Sequence, residues 1–219
     1  MKKQVSAVLF WGGLWGISEA TVSYLVHLFL PGMGWFFYYP LAYGFMAGAC
    51  RQTGQPLTAL LCAFLSAAIK LINLPMSPRL DYVINPAVSI LLEGLAVWLA
   101  LRFIKSREKP AVRDGLLPLV TSAAWRGLYL AYLLLAPSFI REASVLYTPD
   151  ALLRFATLEL LGNALVISLG MLLLGMLAKS IKPLGPRVQN ASRPGSSKRA
   201  YGTLSLAVAA LAVALQWVF

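Results

Sequence analysis

Seven apolar runs constrain this chain more than any other feature of its sequence, each roughly 15–26 residues long. Short segments rich in proline, glycine and charged residues separate them. About 20 apolar residues in an α-helix are enough to cross the hydrocarbon layer of a bilayer. The runs therefore predict membrane-spanning helices at about residues 5–30, 34–50, 57–74, 82–104, 115–136, 151–178 and 202–219.

The overall composition agrees with this interpretation. Hydrophobic residues make up 59% of the 219 residues and charged residues 12%, whereas soluble domains contain about 45–50% and about 25%. A single water-soluble core cannot bury so large an apolar fraction. We therefore predict an all-α, polytopic membrane protein.

Residues 179–201 differ from the rest of the chain because they combine proline, glycine, serine and basic residues without an apolar period. This composition is typical of a flexible linker. We expect a six-helix transmembrane core over residues 1–178, a basic cytoplasmic linker over 179–201, and a C-terminal transmembrane helix over 202–219 that is appended to the core. No internal repeat is evident, so the sequence does not indicate an inverted-repeat transporter.

The positions of lysine and arginine predict a cytoplasmic amino terminus, because short cytoplasmic loops retain positive charge. With seven spans, this orientation leaves only Arg79 and Arg141 in outer loops. The protein's net charge of +11 then lies beside the inner lipid headgroups. We therefore expect the lipid bilayer, and no nucleic acid, as a partner. Fourteen of the nineteen basic residues are then cytoplasmic: Lys2, Lys3, Arg51, Arg102, Lys105, Arg107, Lys109, Arg113, Lys179, Lys182, Arg187, Arg193, Lys198 and Arg199.

Ionisable residues inside the predicted spans are the strongest functional signal, since each costs about 2.5–3.5 kcal/mol on insertion scales if it stays unpaired. They comprise three acids and three bases: Glu19, Glu93, Glu159, Lys70, Arg126 and Arg154. Residues four, seven or eight apart share one face of a helix. Five spans accordingly carry one polar stripe each: Glu19, Ser23 and His27; Ser66, Lys70 and Asn73; Asn85, Ser89 and Glu93; Ser122, Arg126 and Tyr129; Glu159 and Asn163.

We interpret the stripes as the lining of one interior cavity that opens to the outer side. Residues near or below the midplane form its expected floor: Glu19, Glu93, Arg126, Glu159 and Asn163. Candidate solute contacts lie in the outer half or in the first outer connection: His27, Trp35, Tyr39, Lys70, Asn73, Asn85 and Arg154. We also expect Arg126 to lie within salt-bridge reach of Glu93 or Glu19.

The segment from Pro31 to Pro40 places five consecutive aromatic residues between two prolines. Proline and glycine oppose regular helix, so the segment predicts an irregular outer connection. Two interpretations stay open. The rings either form an aromatic belt at the membrane interface, or a lid in which Trp35 or Tyr39 stacks on a planar solute.

Several classes of site are excluded by the residues present. His27 is the only histidine, which rules out an H-E-x-x-H zinc site and paired-histidine haem ligation. The sequence contains no glycine-rich phosphate loop and no G-x-S-x-G motif, so this chain has no ATPase site of its own. Cys50 and Cys62 fall near predicted cytoplasmic ends, where thiols stay reduced. We expect no disulfide, no metal and no cofactor.

Six short helices, a folded first outer loop, an outward polar pocket and the sequence NPAVSILLEG at residues 85–94 together resemble the S components of energy-coupling factor transporters. The resemblance covers about residues 5–180. It implies a carrier subunit in a prokaryotic inner membrane that binds a vitamin or similar micronutrient, with a coupling membrane subunit and ATPase subunits as partners. It also implies that Gly12 and Gly16, spaced like the family's small residues, contact a partner helix. The seventh helix departs from the family's six-helix pattern.

Two other functional classes stay open. One is a membrane-embedded enzyme in which Glu19, Glu93 or Glu159 acts as a general acid or base beside Arg126. The other is a structural or assembly protein in which the polar residues pair with one another to specify helix packing. We expect a raised carboxylate pKa if the protein is an enzyme. We expect an empty interior if it is a structural protein.

Overall fold

The computed structural model describes residues 2–29, 35–104, 110–137, 149–180 and 196–216, and within these ranges the chain forms seven helices and no strand. The all-α prediction is confirmed for this part of the chain, and each helix coincides with one predicted span to within a few residues. The helices are α1 (Lys2–Phe29), α2 (Trp35–Thr53), α3 (Leu57–Leu71), α4 (Asp81–Phe103), α5 (Pro110–Leu135), α6 and α7 (Ser196–Leu215). Three segments make up α6: an α-helical Pro149–Arg154, a π-helical Phe155–Gly162 and an α-helical Asn163–Ser180.

Three helices in the described ranges are long and apolar enough to cross a membrane, with candidate spans at Lys3–Val22, Asp81–Phe103 and Pro149–Gly170. Leu57–Leu71 and Tyr201–Leu215 are apolar but shorter. Large apolar side chains also cover the outer surface of the bundle, among them Phe64 and the 86% exposed Leu135. Soluble proteins rarely expose extended apolar surface, so these features indicate a membrane location.

The bundle joins helices that are neighbours in the sequence and helices that are not. α3 packs against α1 and α4, α4 packs against α5, and α5 packs against α6, while α2 contacts α1, α3, α4 and α6. α3 and α4 approach each other closely, since a Cβ atom added to Gly94 would lie 2.3 Å from the Cβ of Ala63. Small residues therefore determine how near these two helices come.

The C-terminal helix is part of the bundle, which differs from the expectation of an appended helix. α7 packs along α1. A Cβ atom at Gly13 of α1 would lie 3.0 Å from Val208 Cγ1 and 3.1 Å from the backbone of Ala209. The linker composition suggested independence, but the small residues of both helices allow close packing that hydrophobicity does not reveal.

Hydrogen bonds hold α7 near both of its ends. Near its start, Gln52 Oε1 of α2 accepts from Trp11 Nε1 at 2.8 Å and from Tyr201 Oη at 2.9 Å. Just after its end, Gln216 Nε2 donates to the carbonyl of Gly16 at 3.4 Å. One glutamine on α2 thus joins α1 and α7.

The aromatic segment after α1 is more regular than its prolines suggest. α2 begins at Trp35 and contains Pro40, so the expectation of irregular structure is wrong for residues 35–40; residues 31–34 lie outside the described part. Membrane helices tolerate proline because the helix loses only one backbone bond and neighbouring groups compensate. Tyr39 is 1% exposed and belongs to the core, and its role as a lid stays a prediction.

Candidate functional site

Glu93 of α4 interacts electrostatically with charged residues of two other helices. Arg126 of α5 is 3% exposed and Glu93 of α4 is 6% exposed. The Glu93 carboxylate lies within electrostatic range of both Arg126 and Glu19 of α1. The structure thus brings together the charges that the sequence placed near the midplane. Direct contact of Arg126 with a carboxylate stays a prediction.

Each carboxylate has a polar neighbour one helical turn away. Trp15 Nε1 donates to Glu19 Oε1 at 3.2 Å, and Ser89 Oγ donates to Glu93 Oε1 at 3.4 Å. Residues four apart on a helix face the same way, so these pairs follow from local geometry. These hydrogen bonds restrain the orientation of both carboxylates.

Aromatic side chains form a wall beside the charges. Tyr39 and Trp125 stack with their ring centroids 5.8 Å apart and an interplanar angle of 23°. The Arg126 guanidinium carbon lies 4.7 Å from the centroid of the Trp125 ring, within cation–π range. Tyr39 Oη donates to Thr121 Oγ1, which in turn donates to the carbonyl of Leu117 at 2.8 Å. Trp125 and Thr121 are functional candidates that sequence reasoning missed.

The wall continues along α5 as an aromatic ladder, defined here by Tyr39, Trp125, Tyr129 and Tyr132. Successive centroids on α5 are 6.3 Å and 5.8 Å apart. Tyr132 Oη donates to Asn85 Oδ1 of α4 at 2.9 Å. Spacings of four and three residues place these α5 rings on one helix face, a signal that the sequence contained. The ladder links the charged cluster to Asn85.

Several buried polar atoms of α3, of the turn that follows it and of α5 lack a hydrogen-bond partner within the described residues. They are the Oγ atoms of Ser66 and Ser122, Oδ1 of Asn73 and Nε1 of Trp125. Buried polar groups almost always have a partner, either in the protein or in ordered water. These positions therefore suit water or a bound polar molecule.

The remaining predicted contacts fall in different environments. Asn85 is 5% exposed, Lys70 is partly buried in the last turn of α3, and Arg154 is exposed in α6, outside the buried cluster. The side chains of His27, Trp35, Glu159 and Asn163 lie outside the described part, although their backbones are helical. Glu159 belongs to the π-helical segment of α6, an irregularity often found at functional sites.

Gly12 and Gly16 are buried by other helices of this chain. A Cβ atom at Gly12 would lie 3.0 Å from the carbonyl oxygen of Cys62 on α3. One at Gly16 would lie 3.0 Å from Ile69 Cδ1 of α3 and 3.4 Å from Ala212 Cβ of α7. A separate subunit reaches this face only if α3 or α7 moves. Contact with a partner helix at these glycines stays a prediction.

A charged clamp holds the connection between α3 and α4. Arg79 Nε donates to Asp81 Oδ1 at 3.0 Å, and Arg79 Nη1 donates to Tyr82 Oη at 2.9 Å. The hydrogen bond to Asp81 raises the pKa of the Arg79 guanidinium above its ordinary value. Because Arg79 is exposed, we treat the clamp as an orienting contact for the start of α4 and assign it little stability.

Comparison with protein-family models, with curated proteins and with solved structures finds no match to this chain. The interior cluster of Glu19, Glu93 and Arg126 with its aromatic wall is therefore interpreted from its own chemistry.

Proposed function

We propose that this protein is a membrane carrier subunit that binds a small polar solute, a vitamin or similar micronutrient, in an outward-facing site for uptake. The observation that carries the proposal is a set of buried polar atoms on α3, in the turn after it and on α5 that have no partner within the described residues. The same bundle also buries Glu93 and Arg126. A solute with donors and acceptors completes their hydrogen bonds. Interhelical polar contacts average only about 0.6 kcal/mol in one measured case, so packing alone is a weak reason for so many polar groups.

The residues around the cluster indicate the chemistry of the solute. Glu19, Glu93 and Arg126 offer both signs of charge, and the stacked rings of Tyr39 and Trp125 form an aromatic wall beside them. Binding sites commonly combine apolar and aromatic walls with a few polar groups that fix orientation. A small, planar, polar or zwitterionic molecule fits this combination.

The proposal includes the topology and the partners. Seven crossings with a cytoplasmic amino terminus put the basic connections inside, in the inner membrane of a prokaryote. By resemblance to S components, a coupling membrane subunit and ATPase subunits supply the energy for transport. Adjacent genes for these subunits support the carrier, and their absence from the neighbourhood counts against this part of the proposal.

The topology is tested by labelling with a membrane-impermeant thiol reagent after Cys50 and Cys62 are replaced by alanine. We expect Ser144→Cys, in the connection after α5, to be labelled in intact cells. We expect Ser196→Cys, at the start of α7, to be labelled only after permeabilisation, because its surroundings are basic and therefore cytoplasmic. Labelling of Ser196→Cys in intact cells contradicts the orientation.

Solute binding is tested by thermal unfolding of the purified protein with a panel of water-soluble vitamins. A ligand that binds only the folded state adds about 2.7 kcal/mol of stability at a hundred times its Kd. We expect Lys70→Ala to raise the Kd roughly tenfold or more by removing a charged contact, while the midpoint without ligand changes little.

Lys3→Ala is the matched control, since Lys3 is exposed near the start of α1, on the predicted cytoplasmic side. Its Kd should equal that of the unmodified protein. If the Lys70→Ala variant binds as tightly as the unmodified protein, Lys70 is not part of the site. If no member of a broad panel shifts the midpoint, the carrier proposal fails.

The alternative is a structural or assembly protein, which the stacking of Tyr39 on Trp125 favours because these rings pack the interior of the bundle. In that case the polar groups only specify helix packing and bind ordered water. The same ligand panel separates the two functions, since a structural protein shows no saturable binding that depends on Lys70.

A further inference from the structure

A second site lies where the turn between α2 and α3 meets the last turns of α4. A pocket of about 310 Å³ opens there, lined by Gln55, Pro56, Leu57, Trp98 and Arg102. Its volume suits a small polar group such as a phosphate with part of its headgroup. It involves none of the residues assigned to the solute site.

Arg102 supplies positive charge to this pocket. Its guanidinium carbon lies 5.6 Å from the centroid of the Trp98 ring. Within the described ranges Arg102 forms no ion pair with a carboxylate, so its charge is available to an anion. The planar guanidinium fork matches the oxygens of a phosphate group.

The turn that forms the opposite wall is held in one conformation. Gly54 has a φ of 73°, in the left-handed region that favours glycine, and its N–H donates to the carbonyl of Cys50 at 2.8 Å. The hydroxyls of Thr53 and Thr58 are hydrogen-bonded at 2.8 Å across the turn. The backbone wall of the pocket is therefore held in place by the turn.

An apolar stripe leads away from the pocket along α3. Its large side chains recur at spacings of three, four and seven residues on one face, and all are exposed: Leu57, Leu61, Phe64 and Leu71. Leu57 belongs to both the stripe and the pocket lining, so the two surfaces are continuous. A charged cavity that continues into an exposed apolar stripe has the two-part chemistry of a phospholipid.

We propose that this surface binds an anionic phospholipid, with its phosphate at Arg102 and its acyl chains along the stripe of α3. Trp98 lies beside Arg102 near the end of a candidate membrane span, a position where tryptophan favours the interface. Basic pockets between membrane helices bind lipid headgroups by the same electrostatic attraction.

The test is a lipid titration of the purified full chain followed by native mass spectrometry, with phosphatidylglycerol and phosphatidylcholine as probes. We expect one phosphatidylglycerol to bind more tightly than phosphatidylcholine, and Arg102→Gln to raise its Kd roughly tenfold. Arg51→Gln is the matched control, since Arg51 is an exposed arginine in the last turn of α2 that does not line the pocket.

Three outcomes overturn the proposal. Equal losses in the Arg102→Gln and Arg51→Gln variants indicate general attraction to the basic surface. Equal binding of the two lipids shows that the pocket does not select an anionic headgroup. If soluble glycerol phosphate displaces the lipid at a concentration similar to the Kd of the lipid, the pocket binds a free phosphate ester.

Discussion

Replacement of Arg126 by alanine is expected to lower the free energy of unfolding by about 3–5 kcal/mol, the loss typical of breaking a buried charge pair. Arg126 is 3% exposed, and its charge acts on the 6% exposed Glu93. Without the guanidinium, Glu93 is left with the like charge of Glu19 nearby. The variant also loses the cation–π contact with Trp125.

The measurement is denaturant-induced unfolding in mild detergent, followed by tryptophan fluorescence. The double variant Arg126→Ala/Glu93→Gln should recover a large part of the loss, because the amide keeps the size of the carboxylate without its charge. Arg51→Ala, at an exposed position, is the control and should stay within about 0.5 kcal/mol. Wild-type stability in the Arg126→Ala variant contradicts the buried charge cluster.

The second large effect is expected at Gly94, where replacement by alanine should destabilise the protein by about 1–3 kcal/mol. The added Cβ would lie 2.3 Å from Ala63 Cβ. Both atoms are attached directly to helix backbones, so no side-chain rotation relieves the overlap and α3 must move away from α4. The strain outweighs the helix preference of alanine over glycine, about 0.8–1.0 kcal/mol.

Gly127→Ala is the control for this substitution. Gly127 is also helical, but an added Cβ meets nothing within 4 Å among the described atoms. It should therefore leave stability unchanged or raise it. Equal unfolding midpoints for the Gly94→Ala and Gly127→Ala variants would show that α3 and α4 are not in close contact at Gly94.

The sequence predicted the helices well because apolar length is a local property that each span carries by itself. The burial of Arg126 and Glu93 could also be predicted from the sequence, since a lone charge in an apolar run must face the interior. The packing of Tyr39 in the core could not be predicted from the sequence. Its aromatic neighbours suit an interface belt, and only the packing of α2 against other helices turns Tyr39 toward Trp125.

Two further features depend on tertiary contacts and could not be predicted from the sequence. The docking of α7 relies on Gln52, whose single oxygen accepts from two distant helices. The π-helical turns of Phe155–Gly162 carry no proline or other local marker that distinguishes them from regular helix. In both cases the neighbours of a residue decide the outcome, and its own propensity contributes little.

The seam between α1 and α7 has a consequence for biogenesis. Gln216 and Gly16 are joined across 200 positions of the chain. At a synthesis rate of about 5–20 residues per second, α7 is synthesised about 10–40 s after α1. During that delay the side of α1 around Gly13, which packs on Val208 and Ala209 of α7, is bordered by lipid or by the insertion machinery. The bundle closes only when its first and last described helices meet.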